Sequence, residues 1–375
     1  MADIEPAWRR DVPLAPFTTM RVGGPAARYV ETRGADELVE AVRASARASR
    51  RLLVLGGGSN LLIGDEGFEG DAVRTIDAGD IAVIGRCNGR VLVRAGVGTP
   101  WDAFVAFTAG CGLAGLEALS GIPGQIGSAV VQNIGAYGQE MSACLDSALL
   151  YDRATGETAR LEAATLRLGY RSSLLRESLG TSSRPNIDWH PTPRWVVLEA
   201  VFALDERDVA TVAHDQLARA LGCRTGDELP VAEVRQAVLE VRRSKDMVQD
   251  DDPCGPNPCH NRWSSGSFFT NPVLGHEEAV DLLPADAPRY STGDPSTVKT
   301  SAAWLIEHAG FPKGYGVHGA ESRATLSTKH TLAMTNRGNA RAQDVVELAR
   351  AVRAGVRERF GVELEPESVL VGVSL

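Results

Sequence analysis

Apolar residues recur along this chain at two spacings. Residues 35–49 place Leu38, Val39 and Val42 on one side, and residues 342–360 (AQDVVELARAVRAGVRERF) place Val345, Val346, Leu348, Ala349 and Val352 together. Both read as amphipathic helices. The same spacing predicts helices over 208–221 and 230–243. Another is predicted over 301–309 (SAAWLIEHA), ending at Gly310, a natural residue to follow a last helical turn. A helix from about Pro100 carries Trp101, Phe104, Val105 and Phe107, with proline at its start. Shorter apolar runs predict strands at 52–55, 91–97 (VLVRAGV), 194–204 (RWVVLEAVFAL), 324–336 and the closing VLVGV. Residues 145–161 read as strand, turn and strand, with Thr155 and Gly156 at the turn.

Residues 115–138 break this pattern. After Glu117, the only formal charge, come Gly121, Gly124, Gly127, Gly135 and Gly138, with Pro123 and the amides Gln125, Gln132 and Asn133. Interior glycines cost a helix about 1 kcal/mol each and proline about 3, so tight backbone turns are predicted rather than a core helix. Missing side chains let a ligand approach the backbone there. A second glycine cluster, GGGSN at 56–60, directly follows the strand at 52–55. Consecutive glycines after a strand can ring a concavity with N–H groups and so suit a diphosphate; a plain strand-to-loop corner explains them equally well. The cluster is neither GxGxxG opening a helix nor a phosphate loop followed by lysine.

Composition narrows the partners. A chain of 375 residues with 43% hydrophobic and 23% charged residues is globular, with room for two or three domains. Its net charge of -9 argues against a nucleic-acid partner, so any phosphate must be met by amides and a few placed cations. MADIEPAWRR lacks the apolar segment of a signal peptide and no long apolar run follows, so a cytoplasmic protein with no membrane partner is expected. Six cysteines are too scattered for a disulfide framework. Cys254, Cys259 and His260 make a poor zinc pattern, and no metal is expected. In GSFFTNP, Phe268 and Phe269 are packing residues, and a serine beside glycine, as Ser267 is, is usually structural. Glu363, Glu365 and Glu367 read as a solvated edge.

Taken in order, GGGSN, SGIPGQIGSAVVQNIGAYG, GYRSS, GSFFTNP, AAWLIE and LEPE resemble the UDP-N-acetylenolpyruvoylglucosamine reductases, also called UDP-N-acetylmuramate dehydrogenases, over residues 18–372. The resemblance implies an α+β fold: an FAD-binding fold of the vanillyl-alcohol oxidase type made of two α+β subdomains, 1–79 plus 361–375 and 80–246, with a C-terminal α+β substrate-binding domain at 247–360. It implies bound FAD, NADPH as co-substrate, UDP-N-acetylglucosamine enolpyruvate as substrate, and a monomer.

By motif, Gly56, Gly57, Gly58, Ser59, Asn60 and Leu61 match the flavin diphosphate cradle, and Ser120, Gly121, Ile122, Gly124, Ile126, Gly127, Asn133 and Ala136 the wall along the flavin ring and ribityl chain. Arg171, Ser267 and Glu367 match the catalytic three; Tyr170, His214, Lys245, Asn271 and His330 match substrate contacts. Glu367 is preferred to Glu365 by its distance from Gly372, since period-2 alternation puts both on one side of a strand. The types suit the chemistry the resemblance implies. An arginine can hold the carboxylate on which negative charge develops, and a hydroxyl can protonate a far more basic carbanion.

Two departures stand out. The long interval between Arg171 and Ser267 marks the longer form of the family, in which a tyrosine-bearing loop folds over UDP; here His214 falls in that place. The CGPNPC loop is longer than the family needs. Rival readings are a non-catalytic flavin or UDP-sugar binding protein, which needs no acid-base set, and an FAD oxidase, which needs neither GSFFTNP nor LEPE.

Overall fold

The computed structural model describes residues 6–76, 80–179, 189–249 and 259–375. Contacts group the chain into two compact units. One comprises Met1–Val12, Ala26–Gly58 and Glu69–Gln249; the other Pro13–Pro25, Ser59–Phe68 and Asp250–Leu375.

The first unit is built mainly on two sheets. Four strands run in the order Arg9–Pro13, Pro25–Thr32, Phe68–Thr75, Leu52–Leu55, the last pair parallel. The helix Gly34–Arg47 buries Leu38, Ala41 and Val42, which join Val30, Leu52 and Val73 in one cluster. The larger sheet is antiparallel, in the order Thr158–Glu162, Leu145–Asp152, Trp195–Glu206, Arg90–Gly96, Ile81–Cys87. Arg90–Gly96 alternates half-buried and buried positions, the period-2 signature of a sheet with one covered face. Against that sheet pack the helices Trp101–Gly110 and Ile126–Gln132 with Phe202; the Phe104 and Phe202 rings lie 4.7 Å apart. A separate small cluster joins the helices Asp215–Leu221 and Val231–Ser244.

The second unit is built on the helix Ala342–Phe360, which has the predicted bounds and buries Val345, Val346, Leu348, Ala349 and Val352. These face Phe268, Leu305, Ile306 and Met334. The strand Val369–Val371 pairs parallel with Leu61–Ile63.

Three expectations are corrected. The stretch 115–138 is not turns alone: Ile126–Gln132 is helical, started by a capping box between Gln125 and Ser128. Its Gly127 lies in the first turn, where a Cβ would meet Val97 at 2.7 Å, so close packing calls for glycine there despite its intrinsic penalty. The helix predicted over 208–221 begins only at Asp215, because Val209–Thr211 pairs as a strand with Glu228–Pro230. Residues 324–336 form not one strand but a hairpin, Ala324–Leu326 against Met334–Asn336.

Candidate active site

In the first unit, the strand Leu52–Leu55 delivers Gly56 and Gly57 onto the turn at Gly124 and Gln125. A Cβ on Gly57 would lie 2.8 Å from the Gly124 Cα, and one on Gly56 2.9 Å from Gln125 Oε1. The two turns therefore meet backbone to backbone, an approach open only to glycine. Outside the regular ladders and helices, the Gly57 and Gly58 amides donate to no backbone carbonyl among the described residues. Gln125 holds its turn in place: its Nε2 donates to Thr75 O at 2.9 Å, and the Thr75 hydroxyl donates to its Oε1 at 2.5 Å. Trp101 N–H donates to Gly124 O at 3.0 Å, and Ile126 N–H to Thr99 O at 3.0 Å.

Farther along the same wall, the Ser120 hydroxyl donates to Glu117 O at 2.6 Å. Gly121 takes a φ of +69°, where a Cβ would meet Leu239 at 2.9 Å. Ile122 packs at the margin of the core. Asn133 ends the helix Ile126–Gln132 in the left-handed conformation; its Nδ2 donates to Gly169 O at 2.7 Å and its Oδ1 accepts from Ser142 N–H at 3.1 Å. Ala136 pairs with Gln139 in a two-stranded ribbon. Arg171 is drawn to this turn, donating from Nη2 to Gly135 O at 2.8 Å and from Nη1 to Asn133 O at 3.3 Å, with its guanidinium 5.6 Å from the Tyr170 ring. The wall residues, Tyr170 and Arg171 thus come together within one unit.

His214 and Lys245 also come together, around Tyr137. The His214 ring stands edge-on to Tyr137 at 5.6 Å and the Lys245 Nζ lies 5.8 Å from the same ring, while donating to Gln216 Oε1 at 2.9 Å. His214 caps the helix Asp215–Leu221, its Nδ1 accepting from Gln216 N–H at 3.2 Å. Burial lowers the His214 pKa; Asp215 opposes this, and the Lys245 and Arg219 cations reinforce it. Burial likewise raises the Tyr137 pKa, partly offset by Arg242. Sequence reading missed Asp102, Arg235 and Arg242, which fasten Gly121 and Tyr137 to the helix Val231–Ser244. The available signal was arginine at 235 and 242, seven residues apart and so on one helical face, beside Val231 and Val238 of the apolar stripe rather than opposite it.

In the second unit, GSFFTNP is threaded between two extended segments. Phe268 N–H donates to Leu332 O at 2.8 Å, with Ser267 bridged to Ala333. On the other side, Glu367 N–H donates to Phe268 O at 2.8 Å, Phe269 is bridged antiparallel to Pro366, and Thr270 N–H donates to Glu365 O at 3.0 Å. Ser267 and Glu367 therefore lie on adjacent segments, pinned by the buried pair Phe268 and Phe269. The structure separates the two acids that alternation leaves equivalent: the Glu365 side chain is 69% exposed beside Arg353, whereas Glu367 is half-buried. Ser59, Asn60 and Leu61 also belong here; Asn60 Nδ2 donates to Glu367 O at 3.1 Å, and Leu61 pairs with Val369. Asn271 Oδ1 accepts from Ala302 N–H at 3.0 Å, at the start of the helix Ala302–His308. His330 sits in the hairpin turn, its carbonyl accepting from Ala333 N–H at 3.1 Å. Cys254 and most of the CGPNPC loop lie outside the described residues.

Comparison with known proteins follows the same division. Residues 26–162 match the FAD binding domain, and residues 257–371 match the C-terminal domain of UDP-N-acetylenolpyruvoylglucosamine reductase. A chain from Thermobifida fusca (strain YX) bearing that enzyme name is 44% identical, over 98% of this chain and 99% of its own. One of the same name from Nocardia farcinica (strain IFM 10152) is 47% identical, over 98% of this chain and 90% of its own. The crystal structure of the reductase from Thermus caldophilus matches with a TM-score of 0.61 at 27% identity, over 98% of this chain and 99% of its own. This chain belongs to the UDP-N-acetylenolpyruvoylglucosamine reductase family.

Proposed function

We propose that this protein catalyses the FAD-dependent reduction of UDP-N-acetylglucosamine enolpyruvate to UDP-N-acetylmuramate in peptidoglycan precursor synthesis, with NADPH as reductant. The observation that carries this reading is the meeting of the Gly56–Gly57 and Gly124–Gln125 turns, where side chains are excluded and amides are left to face an anionic cofactor. In this reading Gly56, Gly57, Gly58, Ser59 and Asn60 hold the FAD diphosphate, and Ser120, Gly121, Ile122, Gly124, Ile126, Gly127, Asn133 and Ala136 flank its ring and ribityl chain. Held by these residues, FAD would supply the redox chemistry that links NADPH to the enolpyruvyl group.

The chain supplies the rest. Arg171, anchored to the Asn133 and Gly135 carbonyls, keeps a permanent cation where the substrate carboxylate gains charge. The Ser267 hydroxyl gives its proton to the carbon beside that carboxylate. Glu367 polarises the enol system or holds a water. Tyr170, His214, Lys245, Asn271 and His330 contact the UDP-sugar, with Lys245 a point charge for its diphosphate. The reading divides the chain into FAD-binding subdomains at 1–79 plus 361–375 and at 80–246 and a substrate-binding domain at 247–360, and has it act as a cytoplasmic monomer. Among the described residues no helix is long and apolar enough to cross a membrane.

Anaerobic stopped-flow spectroscopy tests this. The yellow protein should bleach with NADPH and recover its flavin band on addition of UDP-N-acetylglucosamine enolpyruvate. Bleaching without recovery would make the enolpyruvyl compound the wrong oxidant, and faster NADPH consumption in air without that substrate would favour an oxidase.

A further inference from the structure

At the end of the helix Gly34–Arg47 the first unit has a cavity of about 70 Å³, whose lining includes Ser45, Ala46, Arg50, Tyr151, Arg153 and Trp189. Leu52, at the start of the strand that ends in the Gly56–Gly57 turn, also lines it. At about 3.3 Å per residue, that strand sets the cavity roughly 13 Å from the flavin turn.

Charge in this cavity is unbalanced. Arg50 Nε donates to Asp71 Oδ1 at 2.6 Å, but the wholly buried Asp71 also lies 3.2 Å from Arg28 Nε and accepts the Ser45 hydroxyl at 2.8 Å. One carboxylate therefore answers two guanidiniums. Among the described residues Arg153 meets no carboxylate: its Nη1 donates to the carbonyls of Thr192 at 2.6 Å, Pro193 at 3.1 Å and Trp189 at 3.5 Å, and its guanidinium lies 4.8 Å from the Trp189 ring. Among the described residues, the Arg50 Nη atoms and the Arg153 Nε and Nη2 atoms have no hydrogen-bond partner. Burial pulls the Arg153 pKa down to about 10, which still leaves it charged at neutral pH. None of the described residues that line it is acidic. A cation taken out of water and answered only by carbonyl dipoles lacks the counter-charge that such groups ordinarily find.

We propose that this cavity binds a small oxyanion of the phosphate class, held between the Arg50 and Arg153 guanidiniums beside Trp189. Two forks offer more donors than the two oxygens of a carboxylate use, and arginine suits the several oxygens of a phosphate. The volume limits what enters. A cavity of about 150 Å³ takes a benzene, so this one admits a single ion, or the phosphate of an ester whose remainder stays in solvent, and no nucleotide.

Calorimetric titration of the flavin-loaded protein with inorganic phosphate, at fixed ionic strength against chloride, tests the site. Saturable binding is expected. Ala46→Glu, at an exposed helical position on the cavity lining, should weaken it at least about tenfold through like-charge repulsion, with NADPH-linked turnover unchanged. Arg50→Gln should weaken it as well. Glycerol 3-phosphate binding tighter than inorganic phosphate would identify an ester as the ligand; weaker binding would identify the free ion. Phosphate binding equally well to the Ala46→Glu protein lies elsewhere and overturns the proposal, as does no saturable binding to the unaltered chain.

Discussion

Arg235 grips Asp102 with two parallel bonds, Nη1 to Oδ1 at 2.6 Å and Nη2 to Oδ2 at 2.9 Å, while the same Oδ1 accepts the Gly121 N–H at 2.6 Å. A flavin-wall glycine is thus tied through one carboxylate to the helix Val231–Ser244. Arg235→Ala should cost about 1.5–3 kcal/mol of stability, the range for hydrogen bonds to charged groups. It should also loosen retained flavin, seen as a lower flavin-to-protein absorbance ratio after dialysis. A variant with lower melting temperature and full flavin content would show that the grip serves folding alone.

The same carboxylate sets an acid limit. Burial pushes the Asp102 pKa up, but the Arg235 hydrogen bond and the Gly121 amide outweigh it and hold the value below the usual range. A lowered folded-state pKa adds stability that is fully present above the unfolded value, about 3.9, and is lost as pH falls from there through the lower folded value. Thermal melts of the native protein and Asp102→Asn should therefore differ at neutral pH and draw together only as pH falls from about 3.9 through that lower value. A difference that persists in acid would contradict this.

Gly57 tests the cofactor cradle. Gly57→Ala places a methyl 2.8 Å from the Gly124 Cα, and only backbone movement can relieve that contact. Overpacking of this kind costs about 1–3 kcal/mol, and the purified variant should be pale. Normal flavin content would remove the meeting of the two turns from the cofactor site.

For the chemical step, Ser267→Ala should keep its flavin and lose roughly 10²- to 10⁴-fold in turnover, the range of a lost general acid. Arg171→Ala should raise the barrier by about 3–4 kcal/mol, as for a lost oxyanion donor. An effect on KM alone would make the arginine a binding group.

His214→Tyr should lower KM for the UDP substrate, because a phenol at the cap beside Tyr137 and Lys245 widens the aromatic surface for stacking. An unchanged KM would place the UDP contact elsewhere.

Much of this was legible in the chain. The spacing of Val345, Val346, Leu348, Ala349 and Val352 predicts the longest helix within its observed bounds, because burial of one stripe dominates there. The reason for Gly127 was not legible: what excludes a side chain there is Val97, thirty residues earlier in the chain. Nor was the role of Arg235, since a helical pattern records that a side chain is polar and not which carboxylate it meets. Residues 209–214 read as helix because alternation over three residues is too brief to reveal the pairing of Val209–Thr211 with Glu228–Pro230.

The parallel pairing of Leu61 with Val369 bears on how the protein is made. The segment Leu61–Ile63 leaves the ribosome early, but its hydrogen-bond partner follows some 300 residues later. At about 5–20 residues per second that is a wait of roughly 15–60 s. Through that interval Leu61–Ile63, whose Leu62 and Ile63 are wholly buried in the finished unit, lacks its strand partner and is an apolar edge of the kind that associates with other chains.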